Sequence, residues 1–314
     1  MRTRYPLDQS PLYNLHRRTK LAELLEVTVD ELEMLAETVE AQYCKFPKLI
    51  EKNGKVKKRF IERPKLKLRR IQQRLVRLLG RIQPPDYLHS GFRGRSYVSN
   101  ALRHDCNSCA VKIDIKSFFP SAYAGYVFRY FCDTFKCSPD VAALIMKMTT
   151  VSGHLPTGGN SSTMFSFFAY KPMFDEIYAL SKNHNLTMSC CVDDMTFSGK
   201  SATSGFLNKV QLIVKRFGLK THKRHCFEAG QPKIVTGVAL TPRGVRLPNS
   251  RRRKLHETMT AFERETNPQL KVKLGQQALG RVTEAAQVEK KFEALIPLMS
   301  KKLNAAKQSA GCGE

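Results

Sequence analysis

Two adjacent aspartates, Asp193 and Asp194, interrupt an otherwise apolar stretch, Met188-Ser189-Cys190-Cys191-Val192-Asp193-Asp194-Met195-Thr196-Phe197-Ser198-Gly199. Two short apolar runs on either side of a polar pair predict two strands joined by a tight turn, with both carboxylates at its tip. Aspartate is common in turns because its side chain bonds nearby backbone groups, so this stretch alone reads as a hairpin with a polar tip. Asp114 changes that reading. It lies near the end of Val111-Lys112-Ile113-Asp114-Ile115, where aspartate is poorly suited to a strand and costly to bury unpaired. If the two segments are neighbours, three carboxylates meet at one edge of a sheet. Such a cluster repels itself unless cations fill it. It suits two Mg²⁺ ions that keep waters and accept substrate phosphates.

The formal net charge is +26. A solvated basic surface would need far less, so the excess points to a polyanion, most often nucleic acid. An anionic membrane surface is the competing partner, but no basic amphipathic anchor stands out. No run approaches the roughly 20 apolar residues of a membrane span, and Met1-Arg2-Thr3-Arg4-Tyr5-Pro6 lacks the apolar core of a signal peptide. A cytoplasmic location without membrane contact is the expectation. The nine cysteines are odd in number and scattered, which fits reduced thiols. Cys106 and Cys109 with His104 form half of a zinc motif, and no second pair completes it.

Residues 1–50 read as a helical extension, with Leu21, Leu24, Leu25, Val29, Leu32, Leu35 and Val39 at helical spacing and Thr28 with Glu31 as a capping box. From Glu51 to Arg81 there are thirteen Lys or Arg and only two Glu. Here an Asn53-Gly54 turn predicts a hairpin through Pro64, followed by a basic amphipathic helix over 66–81 that is expected to meet phosphate. The loop Gly91-Phe92-Arg93-Gly94-Arg95 also combines close backbone approach with arginines. After Asp114, Pro120-Ser121 is expected to start a helix, and another covers about 139–150. The glycine-rich turn Gly153 to Thr163 leads into one apolar helix from Met164 to Leu180. Residues 201–218 predict a helix, Leu219–Phe227 an extended basic segment, and Ile234–Leu240 a single strand. Residues 249–306 predict three helices, capped at Asn249 or Ser250 and starting again near Pro268 and near Thr283. The basic first turn of the first helix is Arg251-Arg252-Arg253-Lys254.

Taken in order, Val111-Lys112-Ile113-Asp114, Leu155-Pro156-Thr157-Gly158 and Val192-Asp193-Asp194 resemble the palm motifs of a reverse transcriptase. Two further signatures resemble those of bacterial retron reverse transcriptases. Asn100-Ala101-Leu102-Arg103-His104 matches an Asn-Ala-x-x-His element, and Val235-Thr236-Gly237 a Val-Thr-Gly element. The resemblance covers roughly residues 55 to 250.

The resemblance implies an α/β (α+β) right-hand fold. Its parts would be an N-terminal helical extension (1–50), fingers (51–105), a palm of antiparallel sheet and helices (106–248), and a helical thumb (249–314). It implies an RNA-directed DNA polymerase in which Asp114, Asp193, Asp194 and the Ile115 carbonyl hold two Mg²⁺ ions. Phe119 stands where the family places its sugar gate against the ribose 2′-hydroxyl. Lys57, Arg59, Arg63, Thr157 and Gly158 would contact the dNTP, with Lys223 or His225 beside the pyrophosphate. By alignment the family lysine falls on His225, with Lys223 and Arg224 adjacent, and the sequence does not choose among them. Asn100, His104, Val235, Thr236, Gly237 and Arg251, Arg252, Arg253 and Lys254 would recognise RNA. Such enzymes start DNA synthesis from a guanosine 2′-hydroxyl of their own structured noncoding RNA and leave branched msDNA. They work with a separate or fused effector in antiphage defence. Here a separate effector and the host's RNase H are implied, since neither domain is visible in the chain.

The sequence departs from the family at Cys191 (usually tyrosine), at Val192 (usually alanine), at Thr157 (often glutamine), and in Gly159-Asn160-Ser161-Ser162-Thr163. A reverse transcriptase of intron or abortive-infection type is the alternative within the enzyme class. A catalytically silent RNA-binding scaffold is the alternative outside it.

Overall fold

The computed structural model describes residues 3–52 and 55–311. The chain opens with α1 (Arg18–Leu25) and α2 (Val29–Glu37). Thr28 Oγ1 accepts from Glu31 N at 3.1 Å, and the Glu31 carboxylate accepts from Thr28 N at 3.3 Å. This reciprocal box satisfies two backbone donors at the start of α2. Leu21, Leu25, Leu32 and Leu35 are buried.

The helical expectation for the first fifty residues ends early. β1 (Tyr43–Lys52) pairs antiparallel with β2 (Lys55–Pro64), so this ribbon straddles the boundary drawn at residue 50. Pro47 explains the change, because a helix interior does not tolerate it. The expected Asn53-Gly54 turn lies outside the described residues. α3 (Leu66–Leu79) buries Leu68, Ile71, Leu75, Leu78 and Leu79 and carries its arginines on the other side.

α4 (Tyr97–Ala101) precedes β3 (Ala110–Ile115). Next come α5 (Phe118–Ser121), α6 (Ala124–Asp133) and α7 (Pro139–Thr149). Pro120 therefore lies inside a single turn and starts no longer helix; Ala122 is extended and separates α5 from α6. The helix expected over 164–180 is two helices, α8 (Ser162–Ala169) and α9 (Lys171–Asn183), broken at Tyr170. Pro172 has no N–H to donate back to the preceding turn, so it begins α9 instead of continuing α8. Phe131, Phe135, Phe165, Phe168 and Phe174 pack fully buried in this region, each contributing about 2 kcal/mol by burial.

β4 (Thr187–Cys191) and β5 (Asp194–Ser198) form the expected hairpin, and α10 (Ser204–Arg216) leads to β6 (Thr221–Phe227). The main sheet has the order β4-β5-β3-β6 and is antiparallel throughout. The single strand expected at 234–240 is instead a hairpin, β7 (Lys233–Val235) and β8 (Val238–Thr241), completed by β9 (Gly244–Arg246). Thr236 and Gly237 form its two-residue turn with φ of 45° and 85°. Positive φ at both positions matches the twist of paired strands.

Three helices close the described chain: α11 (Asn249–Arg264), α12 (Pro268–Val288) and α13 (Leu295–Ser309). Asn249 and Ser250 are helical residues; the capping position falls to Pro248, which offers no side-chain bond. Thr283 does not start a helix. Its hydroxyl bonds back to Leu279 O at 2.9 Å inside α12. Leu255, Phe262, Ala278, Val282 and Met299 form the core of this bundle. No helix among the described residues is long and apolar enough to cross a membrane.

Candidate active site

Alternation along the strands divides the main sheet into two faces. Val111, Ile113, Ile115, Met188, Cys190, Met195 and Phe197 are all buried in the core. Lys112, Asp114, Ser189, Cys191, Asp194, Thr196 and Ser198 share the other face. On it, β3 pairs with β5 so that Asp114 stands directly opposite Asp194. Cys191 also opposes Asp194, leaving a two-residue turn of Val192 and Asp193. The Asp193 carbonyl accepts from Ile115 N at 3.1 Å. The turn is thereby tied to the end of β3, and all three aspartates meet at one end of the polar face.

Their charges are only partly balanced. Asp114 Oδ1 lies 2.6 Å from His222 Nε2, and Oδ2 lies 2.7 Å from Lys223 Nζ. Asp194 Oδ2 is 3.6 Å from Lys112 Nζ, while its buried Oδ1 has no hydrogen-bond partner. Burial, then the charges of Asp114 and Asp194, push the Asp193 carboxyl up to about 6. Burial also raises Asp194, against the pull of Lys112. A set of hard oxygens with raised carboxyls and one unsatisfied buried oxygen fits a divalent cation. Among the described residues no group of three or more His, Cys, Asp or Glu side chains is arranged to hold a metal ion by itself. Mg²⁺ does not require one, since it is held by one or two carboxylates, waters and substrate phosphates. The residues that would hold it are Asp114, Asp193, Asp194 and the Ile115 carbonyl.

The register on the far side of β3 assigns the basic residues. Lys112 pairs with His225 and Asp114 with His222, so a bulge falls between them. Lys223 has a φ of 52° there. The extra residue re-aims the strand. Lys223 turns to Asp114, whereas Arg224 bonds Gln211 Oε1 and Ser204 O, each at 2.9 Å. His225 is exposed and stacks on Phe227. Of the three basic residues left open by the sequence, Lys223 alone bonds one of the carboxylates. His222 was not singled out from the sequence at all; only the strand register identifies it.

Phe119 is half-buried in α5, just after β3, and stacks on Phe118 with ring centroids 6.1 Å apart. The glycine-rich loop is sewn to β2. Glu62 N donates to Thr157 O at 2.8 Å, and Thr157 N donates to Glu62 Oε2 at 3.1 Å. Gly158 has a φ of +116°, and a Cβ there would lie 2.8 Å from Ile61 Cγ2, so no side chain fits. Arg59 and Arg63 are exposed on β2, with Arg63 over the Phe46 ring. The side chain of Lys57 lies outside the described set. Cys191 is half-buried opposite Asp194, its thiol pushed up to about 11 by burial and the neighbouring carboxylates.

The two outer motifs meet in space. Asn100 is fully buried, and its Nδ2 donates to Thr236 Oγ1 at 3.4 Å; Thr236 Oγ1 donates in turn to Tyr97 O at 2.7 Å. Val235 is buried with Ala101, Val238 and Leu240. Arg251 lies over the Tyr97 ring and against Gly237, and it pairs with Glu284 at 2.6 Å. His104 is buried, its two ring nitrogens each 2.7 Å from the Ser198 and Ser189 hydroxyls. That engagement removes it from the zinc reading, and Cys106 Sγ donates to Gln231 O. Arg252 pairs with buried Glu289 and Arg253 with Glu257, while Lys254 is exposed.

No protein-family model matches the chain. Individual relatives do. Retron Se72 reverse transcriptase from Salmonella heidelberg is 26% identical over 231 residues, covering 69% of this chain and 60% of its own length. Retron Mx65 reverse transcriptase from Myxococcus xanthus is 24% identical, covering 72% of this chain and 55% of its own. Retron Ec48 reverse transcriptase from Escherichia coli is 22% identical, covering 95% and 80%. The chain is thus similar to retron reverse transcriptases, and it spans three-fifths or less of the first two.

Proposed function

We propose that this relative of retron reverse transcriptases is itself an RNA-directed DNA polymerase. The observation that carries the reading is the register that brings Asp114, Asp193 and Asp194 to one end of the polar face. When bound there, Mg²⁺ would lower the pKa of the primer hydroxyl and stabilise the leaving pyrophosphate. The three carboxylates position the reacting groups, and Lys223 supplies a mobile proton and positive charge beside Asp114. Phe119 gates against the ribose 2′-hydroxyl of an incoming nucleotide. Arg59 and Arg63 on the ribbon, with Thr157 and Gly158 in the loop bonded to it, frame the dNTP. The ribbon and α3 then serve as fingers, the main sheet with its helices as palm, and α11 to α13 as thumb.

In the finer reading, the template is the protein's own structured noncoding RNA. Priming is from an internal 2′-hydroxyl, the product is branched msDNA trimmed by host RNase H, and the cytoplasmic complex serves antiphage defence with a separate effector. The similarity to three retron enzymes supports this reading. The high positive charge supports RNA as partner. The basic α11 face and the exposed arginines of α3 are suited to a duplex read by shape and phosphate. Asn100 and His104 are buried, so they act on RNA through the elements they hold.

The test is primer extension on an RNA template with Asp193→Asn plus Asp194→Asn. DNA synthesis is expected to vanish while RNA binding survives. Undiminished extension would refute the assignment. Sequencing the nucleic acid that co-purifies tests the finer reading, which requires a 2′-linked RNA–DNA branch.

A further inference from the structure

Val192 is a β-branched residue with a φ of 64°. L-residues adopt this conformation rarely, and branched ones least of all. Holding it costs about 1–3 kcal/mol, so the surroundings must enforce it. Val192 is also the residue immediately before Asp193, and its conformation sets where that carboxylate points.

The enforcing contact comes from a segment that precedes the whole sheet in sequence. Tyr87 O accepts from Cys190 N at 2.7 Å, and His89 N donates to Cys190 O at 2.8 Å. Leu88 thus bridges Cys190 in parallel register on the open side of β4. One residue further on, Ser90 Oγ accepts from Val192 N at 3.0 Å. Ser90 is 9% exposed, so water competes little for this bond. The segment itself is anchored twice. Tyr87 donates its buried hydroxyl to Asp175 at 2.6 Å, and His89 Nδ1 lies 2.8 Å from Ser99 Oγ.

We propose that Ser90 is a positioning residue for the reaction: its hydroxyl locks the left-handed Val192 and thereby aims Asp193. This rests on the polymerase reading above. Ser90 acts through the Val192 amide. Because Gly91 and Arg93 follow directly, the loop carrying them shares the same anchor as the catalytic turn.

Three variants test it in the full-length protein: Ser90→Ala, Val192→Gly, and the two combined. Ser90→Ala is expected to lower kcat for RNA-templated extension about tenfold, in line with one lost hydrogen bond at the turn. The KM for dNTP and the affinity for RNA should not change. Hydrogen exchange of the peptide spanning residues 188–198 should quicken at Val192. Glycine adopts positive φ without strain, so Val192→Gly should recover much of the rate in the Ser90→Ala background. Wild-type kcat in Ser90→Ala would overturn the proposal. So would a loss shared equally by kcat, RNA affinity and thermal stability, which marks general unfolding. If the wild type does not polymerise, the function above falls, and amide exchange alone then decides. Slow exchange at Val192 in Ser90→Ala would overturn the hydroxyl lock.

Discussion

Lys223 Nζ lies 2.7 Å from Asp114 Oδ2, although 109 residues separate them in the chain. A bulge in β6 makes this contact. Without the extra residue, strict alternation would send Lys223 to the opposite face from its neighbour His222, which also bonds Asp114.

Lys223 is therefore expected to matter more for nucleotide transfer than either basic neighbour. Lys223→Ala should slow single-turnover extension about 100-fold, the usual scale for a lost general acid. Arg224→Ala and His225→Ala should cost much less. A larger loss in His225→Ala than in Lys223→Ala would return the role to the residue that alignment favours.

Phe119 is half-buried in α5, the short helix that follows β3 and its Asp114 in the chain. Its ring is expected to exclude a 2′-hydroxyl, so Phe119→Ala should raise ribonucleotide incorporation about tenfold relative to deoxynucleotide. The check is competition between rNTP and dNTP on one template. An unchanged ratio would refute the gate.

Gly237 has positive φ, and a Cβ there would meet the Arg251 guanidinium and push it aside. Gly237→Ala should lower the melting temperature by about 5 °C, from backbone strain and displacement of Arg251. Arg251→Ala should lose the Tyr97 and Glu284 contacts. The two changes act on one contact, so their combination should cost less than the sum. Additive costs in a double-mutant cycle would show that Gly237 does not act through Arg251.

His104 titrates low because it is buried. Burial first, then Arg103, pulls it from 6.5 to about 4. The unfolded chain therefore binds a proton that the folded chain refuses between those values. Stability supplied by neutral His104 is complete above pH 6.5 and declines as pH falls toward 4, by on the order of 3 kcal/mol. Urea unfolding across this range should show a steeper acid loss in the wild type than in His104→Gln. Parallel curves would exclude His104 as the source.

Much of the site is legible from local pattern. Val111-Lys112-Ile113-Asp114-Ile115 alternates at period two, and that spacing alone predicts Lys112 and Asp114 on one face of a strand. The apolar runs flanking Asp193 and Asp194 predict a hairpin with its carboxylates at the tip. Thr28 and Glu31 predict the cap that forms, and α3 shows its apolar face through the leucines and Ile71. Elsewhere the local signal misleads. Ile234 to Leu240 has the composition of one continuous strand, and nothing adjacent marks Thr236-Gly237 as its turn. The apolar run from Met164 masks the break that Pro172 imposes.

The sequence alone therefore determined which residues could carry chemistry: three aspartates, a basic surface, and strands with one polar face. Those properties depend on side-chain type and on spacings of two to four residues along the chain. Only the tertiary structure decided that His222 and Lys223 meet Asp114, that Asn100 reaches Thr236, and that Ser90 holds Val192. Each of these depends on which distant strands pair and where a bulge shifts their register, and no local periodicity encodes that choice.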